Sequence, residues 1–228
     1  MTKPIEWNKV IYADCMNEEN GLSTLEDKSI DLCLTDPPFS VNFKDGKEGY
    51  KNHRRMINYD DKYSFEWHIK WFNEILRICN GIMVYPGLKL FYDFIQYKKP
   101  NYTQKIIYMP NVCGYFHAYY FLPYGKIKNI NKIRDIKEIP MNLSKAHKGL
   151  IHPSPKPFFQ WEYILKKLNP LSVIDPFLGS GTTAEVCTKL GIKWLGYEIN
   201  EVYSQDINKR LKNCKKEPQQ ITLEGFKR

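Results

Sequence analysis

The chain has 228 residues, 43% of them hydrophobic, enough to bury the core of one α/β domain with a modest insertion. Its 34 Lys and Arg against 25 Asp and Glu give a formal charge of +9, which favours a polyanionic partner over a membrane or an acidic small molecule. No run of about 18 apolar residues occurs, and the opening MTKPIEWNKV lacks an apolar h-region, so neither membrane insertion nor secretion is expected. Cys15, Cys33, Cys79, Cys113, Cys187 and Cys214 stand singly, without a C-x-x-C pair or a neighbouring His at ligand spacing. That pattern predicts no metal site, no disulfide framework and a cytoplasmic protein with reduced thiols.

In chain order, residues 10–13 (VIYA) and 30–35 (IDLCLT) are compact, β-branched apolar runs and predict buried strands. Residues 40–62 are polar, glycine-containing and aperiodic, which predicts a mobile loop. Residues 65–78 (FEWHIKWFNEILRI) place apolar side chains at helical spacing. A strand follows at 81–85, then a short helix at 88–97. Two aromatic runs between 105 and 124 predict the antiparallel edge of the sheet.

The stretch from about 125 to 150 breaks this pattern. It carries Lys126, Lys128, Lys132, Arg134, Lys137, Lys145 and Lys148 without a clear period and is expected to be a basic insertion. Beyond it the pattern predicts a helix at 158–168, a strand at 172–175, a helix at 182–190, a strand at 193–198 and a last helix at 202–211. Strands alternating with helices imply one domain over residues 1–228, an α/β fold with a mostly parallel, doubly wound sheet. Such sheets bind ligands at the carboxyl ends of their strands, where Asp14, Asp36, Asp175 and Glu198 fall.

Asp175-Pro176-Phe177-Leu178-Gly179-Ser180-Gly181-Thr182-Thr183-Ala184 joins a strand to a helix, and its glycines let backbone N–H groups approach a ligand. Residues 179–184 also fit G-x-G-x-x-A with Glu198 about 20 residues further on, so a dinucleotide and nicotinamide chemistry must be weighed. A carboxylate before the turn suits the ammonium of an amino acid and repels a pyrophosphate. The chain beyond Glu198 is also short for the βαβ units of a dinucleotide fold. Glu198 at a strand end can accept from both ribose hydroxyls of an adenosine. An adenosine joined to an amino acid is S-adenosylmethionine.

In Asp36-Pro37-Pro38-Phe39 two prolines remove N–H donors where a strand ends, leaving acceptors and an aromatic face. The Asp36 carboxylate and the Pro37 carbonyl could localise the lone pair of an exocyclic amine, which is otherwise delocalised into its ring. Phe39 could stack on a base extruded from a duplex. A rigid polar turn is the bland reading of the same four residues.

Taken together these motifs resemble the permuted, beta-class DNA adenine-N6/cytosine-N4 amino methyltransferases, in which the catalytic tetrapeptide precedes the cofactor loop. The resemblance implies a Rossmann-like S-adenosylmethionine-dependent methyltransferase fold with an antiparallel edge strand and a circularly permuted motif order. Residues 11–15 are similar to the strand whose acidic residue contacts the cofactor adenine, which implies a role for Asp14 beside Cys15. Residues 35–39 resemble the catalytic motif, with Phe39 where Tyr is commoner. That match implies catalytic roles for Asp36, Pro37, Pro38 and Phe39, with Asp36 also lying against the cofactor. His152-Pro153-Ser154-Pro155-Lys156-Pro157 resembles the H-P-T-Q-K-P segment over the methionine moiety, implying contacts from His152, Ser154, Lys156 and Pro157; Pro155 departs from the usual Gln. The cofactor-loop match implies binding by Asp175, Phe177, Gly179, Ser180, Gly181, Thr182 and Thr183, and residues 196–198 match the ribose-binding element at Glu198.

What the resemblance implies is direct methyl transfer to the amino group of a flipped base in double-stranded DNA, within a restriction-modification setting. Adenine N6 is expected over cytosine N4, because the family's cytosine enzymes more often carry Ser at the position of Asp36. No Pro-Cys motif supports C5 chemistry. DNA contacts are expected from Lys44, Lys51, Arg54 and Arg55 and from Lys126, Lys128, Lys132 and Arg134, positioning rather than specifying. Methylation of RNA adenine, a non-catalytic nucleic-acid-binding module, a homodimer and a cognate restriction endonuclease stay open.

Overall fold

A computed structural model describes residues 2–38, 63–108, 115–123, 149–152 and 155–214. Seven strands, β1 (Lys9–Ile11), β2 (Ile30–Thr35), β3 (Cys79–Val84), β4 (Tyr102–Tyr108), β5 (Tyr115–Pro123), β6 (Ser172–Asp175) and β7 (Lys193–Tyr197), form one sheet. Their order is β1-β7-β6-β2-β3-β5-β4. The five strands from β1 to β3 are mutually parallel. β5 pairs antiparallel with β3, and β4 antiparallel with β5. The expected antiparallel strand is therefore β5, second from the edge, and β4 outside it returns to the direction of the rest.

Helices α1 (Phe65–Ile78), α2 (Gly87–Tyr97), α3 (Phe158–Leu168), α4 (Thr182–Leu190) and α5 (Ser204–Lys212) cover both faces. Each strand sends alternate residues to opposite sides. Cys33, Ile82, Val84, Ile174 and Leu195 join a core beneath α1 and α2 with Trp71, Phe72 and Phe94. Leu32, Leu34, Met83, Val173 and Trp194 join a second core beneath α3, α4 and α5 with Trp161, Leu165, Val186 and Ile207. Each fully buried large apolar side chain contributes about 1.5–3 kcal/mol, so the two cores fix the strand ends between them.

Helix α1 matches its apolar period residue for residue. Ser64 caps it by accepting from the Trp67 amide at 3.3 Å, and Trp71, Phe72, Ile75 and Ile78 are buried. Some boundaries shift. β1 ends two residues before the expected Ala13 because the Ala13 amide turns back to the Ile11 carbonyl. β3 begins at Cys79, two residues early, because Cys79 pairs with Ile30 as soon as α1 ends. The last helical segment starts as a 3₁₀ turn, Glu201–Tyr203, before α5. The expected loop at 40–62 and the insertion, through residue 148, lie outside the described residues.

Neighbouring strands β2 and β6 lead their chains in opposite directions across the sheet, β2 toward β3 and β6 toward β7. A crevice opens beyond the carboxyl ends of strands at such a reversal. Asp36 follows β2 there, and Asp175 ends β6.

Candidate active site

The turn after β6 is built on its glycines. Gly179 (φ +55°) and Gly181 (φ +82°) take left-handed conformations, and a Cβ on Gly179 would lie 2.9 Å from His152 Nε2. The His152 ring therefore lies over the turn, packed edge-on to Tyr203 at 4.6 Å between centroids. Asp206, 2% exposed on α5, holds it there by accepting from the backbone amides of Ile151 (2.8 Å) and His152 (2.8 Å).

Asp175 is held by the protein's own donors. Its carboxylate is buried and faces inward, accepting from the Thr35 hydroxyl (2.6 Å), the Thr183 hydroxyl (2.5 Å) and the Phe177 amide (3.0 Å). Burial raises its pKa, and these three hydrogen bonds oppose the rise. Thr183 in turn accepts from Trp161 Nε1 at 2.7 Å. This chain of bonds ties the residue before Asp36 to the glycine turn and to α3, so Asp175 pins the turn.

Glu198 closes the other side. Its oxygens accept from the amides of Gly179 (2.7 Å) and Asn200 (2.8 Å), and burial pushes its pKa up to about 7. The Ile199 amide also lowers its pKa by hydrogen bonding, and the two oxygens together still offer a lone pair for a further donor. Asp14 is exposed and accepts from the Met16 amide at 2.8 Å. Cys15 is buried in the core beneath α1, which leaves its backbone as the part able to meet a ligand. Phe177 is half-buried against Trp71 and Trp67 of α1, with centroids 5.1 and 5.8 Å away. Ser180 faces Arg210 Nη2 at 3.4 Å, and Thr182 donates to the Lys156 carbonyl at 3.2 Å. Pro157 caps α3.

Asp36 stands across from this turn. Its Oδ2 pairs with Lys156 Nζ at 2.6 Å, whereas its Oδ1 is buried and meets no donor among the described residues. Burial raises its pKa to about 6 against the pull of Lys156, with Asp175 adding to the rise. Pro37 is buried and Pro38 half-buried beside it. A buried acceptor without a donor costs free energy and marks a position that a ligand's N–H could satisfy.

The structure thus brings Asp36, Lys156, Thr182, Thr183, Gly179, His152 and Glu198 together at the ends of β2, β6 and β7. Phe39, Ser154, Lys44, Lys51, Arg54, Arg55, Lys126, Lys128, Lys132 and Arg134 lie outside the described residues. Trp161 and Asp206 are residues beside the site that the motifs did not reveal, and Thr35, which opens the catalytic motif, was given no role there; nothing in the sequence singles out Asp206. Among the described residues no group of three or more His, Cys, Asp or Glu could hold a metal ion, and no helix is long and apolar enough to cross a membrane.

The sequence profile of the N6/N4 DNA methylase family matches residues 91–209, just over half of the chain. The type II methyltransferase M.HpaI of Haemophilus parainfluenzae is 26% identical over 242 residues, spanning 86% of this chain and 73% of that protein. The crystal structure of the M1.HpyAVI–SAM complex superposes with a TM-score of 0.59 at 21% identity, covering 89% of this chain and 98% of the other. PvuII DNA methyltransferase, cytosine-N4-specific, superposes with a TM-score of 0.54 at 15% identity, covering 83% and 82%. Both likenesses are of fold, and the profile match carries the family: this chain belongs to the N6/N4 DNA methyltransferases.

Proposed function

We propose that the chain transfers a methyl group from S-adenosylmethionine to the N6 amino group of a flipped adenine in double-stranded DNA. The observation that carries this reading is Asp36 Oδ1, a buried acceptor without a donor among the described residues, at the end of β2 next to the glycine turn that ends β6. The residues present fit the cofactor. Glu198 can accept from the ribose, Asp14 lies three residues beyond β1 for the adenine, and the glycine turn packs closely against His152 and Ile207 at the mouth of the crevice. Bound there, the cofactor supplies an electrophilic methyl on a sulfonium.

The protein's part is orientation and electrostatics. Asp36 Oδ1 and the Pro37 carbonyl accept from the two amino hydrogens, which turns the nitrogen lone pair toward the methyl. Methylation leaves the nitrogen cationic and readily deprotonated, so Asp36 acts as acceptor and counter-charge and need not be a strong base. Phe39 stacks on the base, and the basic segments around Lys44, Lys51, Arg54 and Arg55 and around Lys126, Lys128, Lys132 and Arg134 grip phosphates. Adenine is chosen because Asp occupies position 36, where cytosine enzymes of this family more often have Ser.

The test is transfer of labelled methyl to unmethylated duplex DNA, followed by nucleoside analysis. N6-methyladenine supports the reading. N4-methylcytosine would keep the mechanism and overturn the base, and label appearing only in structured RNA would overturn the substrate.

A further inference from the structure

Lys156 links two motifs that lie 120 residues apart in the chain. Its carbonyl accepts from Thr182 at the start of α4, which fastens its main chain to the glycine turn. Its side chain crosses to β2, placing Nζ 2.6 Å from Asp36 Oδ2, with the two side chains only 14% and 20% exposed. The ammonium also lies 5.2 Å from the centroid of the Tyr85 ring, which is buried at the end of β3. The pair thus occupies one carboxylate oxygen and leaves the other, Oδ1, buried and open.

We propose that Lys156 is a positioning residue for Asp36: by bonding Oδ2 it keeps the carboxylate ionised and leaves Oδ1 as the acceptor for the substrate amino group. This rests on the function proposed above, because it gives Asp36 a donor to receive. The chemistry requires the ionised form. A protonated Asp36 would accept an amino hydrogen more weakly at Oδ1, or oppose it with an O–H if the proton sat there, and would lose the negative charge that balances the methylated nitrogen. Two charges act on the carboxylate among the described residues, and they oppose each other. Asp175 at the end of β6 works with burial to neutralise it, and Lys156 works to keep it charged. Replacing the ammonium with an apolar chain leaves burial and Asp175 unopposed.

A merely structural ion pair would affect stability and leave the pH profile in place. A contact to the cofactor alone would change its Kd. The proposal predicts neither pattern. In Lys156→Met the Asp36 carboxyl should titrate about one to two pH units higher, read by carbon-detected NMR of the ligand-free protein with Asp36→Asn for assignment. The acid limb of the single-turnover methyl-transfer rate should move with it. That makes the variant roughly five- to fifty-fold slower at pH 6 and brings it back to within about threefold of wild type at pH 9. The Kd for S-adenosylmethionine should stay within about threefold, and Lys156→Arg should restore both midpoint and limb.

An unmoved Asp36 midpoint in Lys156→Met overturns the proposal whatever the activity. So does a rate loss equal at every pH and accompanied by weaker cofactor binding. A shifted midpoint in a protein whose wild type transfers methyl to no nucleic acid would support the pairing and overturn the function it serves.

Discussion

Thr183→Val tests the bond chain beneath the site. Valine matches threonine in shape, so the change opens no cavity and removes one hydroxyl. That hydroxyl bonds both Trp161 Nε1 and Asp175 Oδ2, and all three residues are buried. Its loss removes a hydrogen bond accepted from a buried indole N–H, costing about 1–3 kcal/mol, and strips one hydrogen bond from a buried carboxylate, worth about 1.5–3 kcal/mol. The expected destabilisation is therefore about 3–5 kcal/mol, measured by urea unfolding. Thr182→Val, which removes one 3.2 Å bond to a neutral carbonyl, should cost only about 0.5–1.5 kcal/mol.

The same variant carries a pH signature. Burial raises the folded pKa of Asp175 above the ordinary value of an aspartate. Between those two values the folded state binds more protons than the unfolded state, so this group's contribution to stability falls as pH rises. Removing a hydroxyl that stabilises the ionised form extends that interval upward, so the penalty of Thr183→Val should be larger at pH 8 than at pH 5. A penalty no greater than that of Thr182→Val, or one that shrinks toward alkaline pH, would refute the reasoning. A double-mutant cycle with Trp161→Phe should show coupling of about 1 kcal/mol or more.

Asp36→Ala should lower turnover by roughly 10²–10³-fold or more while the Kd for S-adenosylmethionine, measured by calorimetry, stays within about threefold; weakened cofactor binding with turnover intact would contradict its role. Asp206→Ala releases the amides of Ile151 and His152, so cofactor Kd should rise by roughly tenfold with little change in turnover at saturating cofactor. An unchanged Kd would show that His152 needs no such anchor. Glu198 must be ionised to accept both ribose hydroxyls, and its pKa lies at about 7. Cofactor Kd should therefore rise below pH 7, by at most about tenfold per unit for one proton, and Glu198→Gln should flatten that dependence.

Where one physical signal dominated, the sequence was legible. Helix α1 followed from apolar spacing, and its fourteen residues came out unshifted. The short parallel strands β2 and β6 followed from apolar runs that stop at a carboxylate. β1 slipped because it is an edge strand paired on one side with β7, so the Ala13–Ile11 turn, invisible in the apolar pattern, sets its end. Within the site the glycine turn, Asp36 and Glu198 were found through motifs with a local chemical rationale. The inward orientation of Asp175 was not, because its partner Thr35 lies 140 residues away and Trp161, which bonds its other partner Thr183, carries no signature. Asp206 escaped for the same reason: its partners are backbone amides 54 and 55 residues away.

The order of strands in the sheet also governs how the protein comes to exist. β1 and β2 are synthesised first yet never become neighbours, since β7 and β6 slot between them. Until residues 172–197 leave the ribosome, β2 has one edge unpaired, and nothing holds Thr35, and so Asp36, in register with the glycine turn. Pairings of this sequence separation form slowly, and open edges invite association with other chains. A nascent or truncated chain stopping short of β6 thus carries the acceptor carboxylate without the means to aim it, and the site is assembled only once β6 and β7 have been made.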